Sequence, residues 1–171
     1  KAEFFTDFKK FENFIIAENK ANRKLDYMVI CSPNYLHFEH IKFGLKNKIN
    51  VICEKPLVLK KSQLNILKRY EFDYGVNVNS ILQLRLHPSI IKLREKIKSK
   101  PKNEILDVQL TYITSRGKWY MKSWKGNKKK SGGLIANIGV HFFDMLYFIF
   151  GSVTKIQLHY KDDKTSSGYI E

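Results

Sequence analysis

Val51-Ile52-Cys53-Glu54-Lys55-Pro56 is an apolar run that ends abruptly in a carboxylate, an amine and a proline. Residues 50–53 have the composition of a buried strand, and Pro56, which has no backbone N–H, marks the point where strand pairing stops. In an open parallel sheet, ligands bind outside the carboxyl ends of the strands. We therefore expect Lys55 at the rim of a crevice, where it can serve as an acid, a base or an electrostatic clamp. The ordinary alternative is a solvated loop lysine.

Helices and strands alternate around this run, as in a doubly wound parallel sheet. In the first helix, Phe8, Phe11 and Ile15 recur at near-helical spacing, with Thr6 or Asp7 as the N-cap. The strand before Cys31 is apolar on both faces, which favours a central position. The pattern predicts helices at 6–19, 36–46 and 62–70, the last capped by Ser62, and strands at 26–31, 49–53 and 76–80.

The pattern changes after residue 84. Pro88 opens a helix, residues 105–114 alternate as in a half-buried antiparallel strand, and a polar, aromatic loop covers 115–131. Gly132-Gly133 leads into a long helix that Gly151 stops, and strands follow at 153–161 and from 168. We predict an α/β protein. Residues 1–84 form a partial dinucleotide-binding (Rossmann-type) domain, and residues 85–171 a partial α+β domain with a mostly antiparallel sheet.

Composition narrows the class of protein. The 171 residues are 43% hydrophobic and carry a net charge of +15, with 26 lysines against 5 arginines. Scattered lysines indicate a solvated surface or an anionic small-molecule substrate, because a reader of nucleic acid would use more arginine. No uninterrupted apolar run approaches the ~20 residues that span a bilayer, and no signal peptide is visible. The chain does not begin with Met, so we expect a fragment.

The two cysteines, Cys31 and Cys53, each end a predicted strand. Without a secretory signal, the sequence predicts a buried, reduced pair. A zinc site would need more ligands nearby than this sequence offers, so we expect no metal.

Four polar stretches carry the candidate chemistry: 32–37, 54–56, 83–88 and 132–144. The first three follow predicted strands and should share one rim of a parallel sheet. In the fourth, Gly133, Asn137 and His141 would lie on one helical face, with Asp144 in reach. Each stretch has an ordinary alternative as well: a turn at 33–34, a buried amide at Asn137, and a core histidine satisfied by Asp144.

Taken together, these motifs resemble the Gfo/Idh/MocA oxidoreductases. They are Ser32-Pro33-Asn34-Tyr35-Leu36-His37, Glu54-Lys55-Pro56, and Gly132-Gly133 followed by Asn137, Gly139, His141 and Asp144. The blocks 81–88, 112–124 and 137–144 are similar to a narrower group, the UDP-N-acetyl-2-amino-2-deoxyglucuronate dehydrogenases. The resemblance covers nearly the whole chain.

The resemblance implies NAD-dependent oxidation of the C3 hydroxyl of UDP-N-acetylglucosaminuronate, in the biosynthesis of lipopolysaccharide sugars. Lys55 matches the family lysine that contacts the reacting hydroxyl, and His141 matches the catalytic histidine. Asn137 stands where many relatives carry Asp, which removes one base and leaves Lys55 and His141 to share the proton. We interpret this departure as specific to the sugar-nucleotide group. An imidazole titrates near neutral pH and suits the role of base, and a lysine cation stabilises a developing alkoxide.

The binding residues are assigned in the same way. The resemblance places Ser32, Pro33, Asn34, His37, Glu54, Lys55 and Gln83 at the cofactor. For the substrate we name Lys55, Arg85, Arg116, Trp119, Tyr120, Trp124, Asn137 and His141. Aromatic side chains in the loop could pack on sugar or uracil, and its cations could meet the uronate or the diphosphate. The alternative is a surface loop whose aromatic rings are tucked against the adjacent sheet.

Two other functions stay open. One is a different Gfo/Idh/MocA sugar or polyol dehydrogenase, of the inositol or glucose-fructose oxidoreductase type. The other is a non-catalytic basic binding module. For the favoured function we expect a UDP-sugar partner, no nucleic acid, no membrane, a homo-oligomer (dimer or tetramer) and a cytoplasmic location. The glycine-rich turn of a dinucleotide fold is absent from the 171 residues, so we expect this chain alone to bind NAD weakly.

Overall fold

The computed structural model describes residues 2–101 and 104–171. These residues form two compact units. The first unit comprises the chain up to Ser32 and Leu36–Ser80, and the second comprises Pro33–Tyr35 and Ile81–Glu171. The boundary predicted from the sequence lies after residue 84.

The first unit is a parallel sheet in which a helix precedes each strand along the chain. The strand order is β1-β2-β3, and both pairs are parallel. The strands are β1 (Tyr27–Ile30), β2 (Asn50–Cys53) and β3 (Val78–Ser80), and the helices are α1 (Phe8–Lys20), α2 (His37–Lys46) and α3 (Lys61–Tyr74). The Asp7 side chain caps α1 by accepting from the backbone N–H of Lys10 at 3.0 Å, as the sequence allowed.

The central strand is β2, not β1. Val51 and Cys53 on β2 are fully buried, whereas Tyr27 and Val29 on β1 are 58% and 60% exposed. The prediction of a central first strand is therefore wrong for the described sheet. Apolar residues on both faces make a strand suited to burial, but only neighbouring elements can cover them.

Helix α3 begins without the predicted cap. Ser62 lies inside the helix, and Lys60 occupies the N-cap position. The Gln63 side chain carbonyl accepts from the backbone N–H of Lys60 at 3.1 Å, which is half of a capping-box arrangement. The helix continues past Tyr70 to Tyr74, where Gly75 adopts a left-handed conformation and ends it.

The two cysteines differ in their exposure to solvent, so the prediction that both are buried is wrong for one of them. Both are free thiols, but Cys31 is exposed and only Cys53 is buried. Burial raises the pKa of the Cys53 thiol to about 12. Cys31 follows the last residue of β1, so its side chain is no longer enclosed by the sheet.

The second unit contains several helices and a small antiparallel sheet. Its elements are α4 (Pro88–Lys98), α5 (Lys118–Lys122), α6 (Lys128–Ser131), α7 (Val140–Phe150), β4 (Ile156–Lys161) and β5 (Ser166–Ile170). Short 3-10 turns occur at Gln83–Leu86 and Trp124–Gly126, and a π-helical turn at Ile135–Gly139 precedes α7. A parallel sheet followed by an antiparallel pair confirms the predicted fold class.

Residues 105–114 do not form the predicted strand. Among the described residues they have no sheet partner, and Ile105 and Ile113 are 96% and 88% exposed. The Tyr112 ring nevertheless packs against Phe142, with ring centroids 4.7 Å apart. The alternation of apolar and polar residues shows which side chains could face a core. A strand also needs a second strand beside it with which its backbone can form hydrogen bonds.

The predicted loop at 115–131 is partly helical. Local caps explain this: the Ser123 hydroxyl accepts from the N–H of Lys125 at 3.2 Å. The Asn127 side chain carbonyl accepts from the N–H groups of Lys129 and Lys130 at 3.0 and 3.2 Å. These short polar side chains cap the 3-10 turn Trp124–Gly126 and the four-residue helix α6, whereas helix α5 follows Gly117 without a side-chain cap.

One segment, Lys128–Phe150, is long and apolar enough to cross a membrane by length and composition alone. Its most apolar stretch has a mean hydropathy of 1.5. A mean hydropathy can stay high although the segment contains the polar residues Asn137, His141 and Asp144. The same residues interrupt a continuous apolar run, which is the feature that the sequence was searched for. Core helices of soluble proteins pass the same test, so this is weak evidence for a membrane span.

Candidate active site

The carboxyl ends of the parallel strands carry the first group of predicted residues. Ile30 pairs with Cys53, and Cys53 pairs with Ser80, so these strands end at one edge. Glu54 and Lys55 follow β2 directly and are half-buried. The peptide bond between Lys55 and Pro56 is cis. The register therefore places Lys55 at the edge of the sheet that the sequence predicted.

His37 connects the loops that follow two of these strands. Its side chain is fully buried. Nδ1 lies 2.8 Å from the Pro56 carbonyl oxygen, and Nε2 lies 2.7 Å from the Ser32 carbonyl oxygen. The imidazole thus bridges the loop after β1 and the loop after β2. Its predicted place at the cofactor stays a prediction, and the structure shows it supporting the backbone around that edge.

Ser32 contacts a second histidine. The Ser32 hydroxyl lies 3.0 Å from His40 Nδ1, and the His40 ring stacks on Phe8 at a centroid distance of 4.2 Å. Burial lowers the pKa of His40, and the nearby His37 lowers it further, while Glu12 and Glu39 act in the opposite direction. His40 is therefore held towards its neutral form.

In the second unit, three predicted site residues form one hydrogen-bonded chain. Asn34 Nδ2 donates to the Ser131 carbonyl oxygen at 2.9 Å and approaches Asn137 Oδ1 at 3.4 Å. Asn137 Nδ2 donates to the Tyr120 hydroxyl at 3.1 Å. Asn34, Ser131 and Asn137 are 4%, 1% and 6% exposed. A residue predicted at the cofactor is thereby linked to residues predicted at the substrate.

The backbone around Asn137 is not a regular α-helix. Gly132 and Gly133 have φ angles of 82° and 77°, a region that other residues enter only with strain. Asn137 then lies in the π-helical turn. The prediction that Gly133, Asn137 and His141 lie on one face at four-residue intervals assumed α-helical geometry. The structure has a π-helical turn at Asn137 instead of a regular α-helix. π-helical turns inside helices occur frequently at functional sites.

Asp144 is bound by Arg85. The Arg85 guanidinium contacts both carboxylate oxygens, with the Nε to Oδ2 distance at 2.6 Å. This bond raises the pKa of Arg85. The Arg85 guanidinium also lies 5.4 Å from the Phe148 ring centroid. The alternative for His141, a core histidine satisfied by Asp144, stays open, and the structure shows that this carboxylate forms a bidentate pair with Arg85.

The predicted substrate loop presents aromatic rings beside cations. Arg116 lies 5.0 Å from the Tyr120 ring centroid. Lys125 lies 5.7 Å from the Trp119 ring and 5.8 Å from the Trp124 ring. Trp119 is 61% exposed, so its ring is not tucked into a core. Such rings can stack on a sugar or base, and the cations beside them favour an anionic ligand.

The structure thus joins Asn34, Asn137 and Tyr120 in the second unit, and Ser32 and His37 in the first. Sequence reasoning missed two contributors, the Ser131 carbonyl and the Arg85–Asp144 pair. Neither contact can be recognised from the sequence. Every residue has a backbone carbonyl, so residue type does not mark the one that accepts, and Arg85 and Asp144 are 59 positions apart. Gln83 lies in a 3-10 turn and is exposed.

The residues at the sheet edge fit part of a dinucleotide site. Ser32 and the half-buried Glu54 and Lys55 are polar groups at the edge where ribose hydroxyls would be bound. The pyrophosphate side of such a site needs a glycine-rich turn, which is absent from this sequence. Among the described residues, no group of three or more His, Cys, Asp or Glu side chains could hold a metal ion.

Family profiles match both halves of the chain. Residues 1–80 match the Gfo/Idh/MocA profile described as an oxidoreductase family with an NAD-binding Rossmann fold. Residues 94–169 match the profile of its C-terminal alpha/beta domain.

Solved structures and curated proteins agree with this. The WlbA (WbpB) dehydrogenase from Thermus thermophilus, in complex with NAD and UDP-GlcNAcA, is 42% identical, with a TM-score of 0.94 over 100% of this chain and 55% of that one. The same dehydrogenase with NAD and alpha-ketoglutarate is 40% identical, with a TM-score of 0.90 and the same coverage. Glucose-6-phosphate 3-dehydrogenase from Bacillus subtilis is 25% identical over 128 residues, 73% of this chain and 37% of that protein.

The chain therefore spans about half the length of the structures that it matches. The profile over the first unit confirms the predicted NAD-binding class. The first unit has a parallel sheet whose central strand leads to Lys55, and the second has the hydrogen-bonded chain of Asn34, Asn137 and Tyr120. Because family profiles match both units, the chain belongs to the Gfo/Idh/MocA oxidoreductase family.

Proposed function

We propose that the complete protein carrying this chain oxidises the C3 hydroxyl of UDP-N-acetylglucosaminuronate to a ketone. The observation that carries the proposal is the 42% identity over the whole chain to a dehydrogenase whose structure contains NAD and UDP-GlcNAcA. The position of oxidation is supported by two curated relatives, which are named glucose-6-phosphate 3-dehydrogenase and D-glucoside 3-dehydrogenase.

Three side chains of this chain carry the proposed chemistry. NAD, when bound, accepts the hydride from the carbinol carbon. The hydroxyl proton must leave as well, and the His141 imidazole takes it as general base. The Lys55 ammonium stabilises the negative charge that develops on the oxygen. The Asn137 amide, held by Asn34 and Tyr120, orients the sugar.

The aromatic and cationic segment 116–130 would recognise the rest of the sugar nucleotide. Trp119, Tyr120 and Trp124 offer stacking surfaces, and Arg116 adds a cation. The same proposal includes a role in lipopolysaccharide sugar biosynthesis, a homo-oligomeric protein, a cytoplasmic location, and no nucleic-acid or membrane partner.

The test is production of NADH by the complete protein with UDP-N-acetylglucosaminuronate. We expect Lys55→Ala and His141→Ala each to lower kcat about 10²- to 10⁴-fold, because each removes a group that acts in proton transfer or charge stabilisation. Lys24→Ala, at an exposed position, is the matched control and should change kcat less than about twofold. Turnover that survives both substitutions would contradict the mechanism.

A second sugar substrate is the competing candidate, favoured by the names of the curated relatives at 23–25% identity. A panel of UDP-sugars, sugar phosphates and free polyols separates the two, since the proposed enzyme should show the highest kcat/KM with the UDP-uronate. A basic binding module would instead bind nucleic acid with a steep loss of affinity at rising salt, and would be indifferent to Lys55→Ala.

A further inference from the structure

The Ser131 carbonyl sets the direction of the hydrogen-bonded chain in the second unit. A backbone carbonyl oxygen can only accept, so the Asn34 atom that lies 2.9 Å from it must be the amide nitrogen. Ser131 itself is fixed, because its hydroxyl donates to the Asn127 carbonyl at 3.0 Å and accepts from the N–H of Gly133 at 3.1 Å. The orientation of the Asn34 amide therefore follows from backbone chemistry.

The orientation of the Asn34 amide also determines the donor and the acceptor in the hydrogen bond between Asn137 and Tyr120. The Asn34 amide nitrogen also faces Asn137 at 3.4 Å, so the Asn137 atom on that side must be the acceptor Oδ1. The Asn137 nitrogen then faces the Tyr120 hydroxyl at 3.1 Å and donates to it. Because Asn34 and Asn137 are 4% and 6% exposed, water does not compete readily for these groups.

The Tyr120 hydroxyl oxygen is thus an acceptor towards Asn137, and its own hydrogen must point elsewhere. Within residues 2–101 and 104–171, the structure shows no acceptor within hydrogen-bond distance of this hydroxyl. The Arg116 guanidinium lies 5.0 Å from the Tyr120 ring centroid, and the Trp119 ring packs edge-to-face with its centroid 5.9 Å away, so both hold the side chain in place. A positioned donor without a protein acceptor suits a ligand oxygen.

We propose that the Tyr120 hydroxyl donates a hydrogen bond to an oxygen of the sugar in the substrate, and that the Asn137 amide keeps it available for this. The inference rests on the proposed function for the identity of the ligand. A carboxylate at position 137 could only accept, so it would take the Tyr120 hydrogen for itself. The Asn137 amide therefore contributes to specificity for the sugar by leaving the Tyr120 hydrogen free to bind it, in addition to any contact that Asn137 itself makes with the sugar.

The direction of the bond can be tested in the ligand-free complete protein. Replacing Tyr120 with 3,5-difluorotyrosine, at a pH low enough to keep the more acidic phenol protonated, makes the phenol a better donor and a poorer acceptor. We expect the Tm to fall by a few degrees relative to the same replacement at Tyr112, whose half-exposed ring packs on Phe142. An unchanged or raised Tm would mean that Tyr120 donates to Asn137, which overturns the inference whether or not the protein is a dehydrogenase.

The role towards substrate is tested with Tyr120→Phe and Asn137→Asp. Each should lower kcat/KM for the UDP-uronate at least tenfold, without changing NAD affinity measured by calorimetry. The double variant should be no worse than the poorer single one, because both remove the same donor. Tyr112→Phe should stay within twofold. Full activity of Tyr120→Phe would overturn the role, whereas a wild-type protein inactive on every sugar would contradict the proposed function instead.

Discussion

His40 illustrates how burial and a neighbouring charge act on a single side chain. Its ring lies between Phe8 and the Ser32 hydroxyl, and its pKa is lowered first by burial and then by His37. The unfolded chain, where histidine titrates near 6.5, therefore takes up this proton more readily than the folded protein. Stability that depends on neutral His40 is present above about pH 6.5 and is lost as the pH falls below it.

We expect the Tm of the complete protein to fall between pH 7.5 and pH 5.5, and the fall to be smaller for His40→Gln. The change in Tm between the two pH values is the quantity to compare, because the substitution also alters packing on Phe8. His159→Gln, on the exposed strand β4, is the matched control and should keep the wild-type pH dependence. An equal fall in Tm for the wild type and for His40→Gln would show that protonation of His40 does not cause the pH dependence.

At the scale of elements, the Arg85–Asp144 pair joins the 3-10 turn Gln83–Leu86 to α7. Asp144 has a side chain that is only 9% exposed, so removing its partner leaves a nearly buried carboxylate. Arg85 is 38% exposed, and solvent screening reduces the effect. We expect Arg85→Leu to lower the free energy of unfolding by about 1–2 kcal/mol, measured by urea titration.

The exposed pair Arg69–Asp73 on α3 provides the control for this prediction. Arg69 is 81% exposed and lies 3.5 Å from Asp73, so Arg69→Leu should cost less than about 0.5 kcal/mol. Equal losses for Arg85→Leu and Arg69→Leu would show that the bidentate geometry at Asp144 adds nothing.

Helices were easier to predict than strands for a physical reason. Helix α1 is specified within its own residues, by the Asp7 cap and the spacing of Phe8, Phe11 and Ile15. A strand depends on a partner elsewhere in the chain. Residues 105–114 alternate as a strand should, yet they have no ladder among the described residues.

At the scale of the whole molecule, we expect the 171-residue chain alone to bind NAD weakly. It offers the carboxyl edge of the parallel sheet, but no glycine-rich turn for the pyrophosphate. It also leaves Tyr27 and Val29 on β1 more than half exposed. Calorimetry should show a much higher Kd for this chain than for the complete protein, and a tight complex of the chain alone would contradict this.

The sequence by itself determined the type of most elements, the edge of the sheet that carries Lys55, and the family. Those features depend on residue type and short-range order, which a sequence displays directly. The individual site residues stay predictions that the proposed variants test.

Only the tertiary structure decided which polar groups meet. Asp144 pairs with Arg85, 59 residues away. Asn137 meets Asn34 and Tyr120 across 103 and 17 residues, and the Ser131 carbonyl sets the direction of that chain. Such partnerships depend on where the folded backbone brings distant residues, and hydrogen-bond direction depends on acceptors that carry no sequence signal.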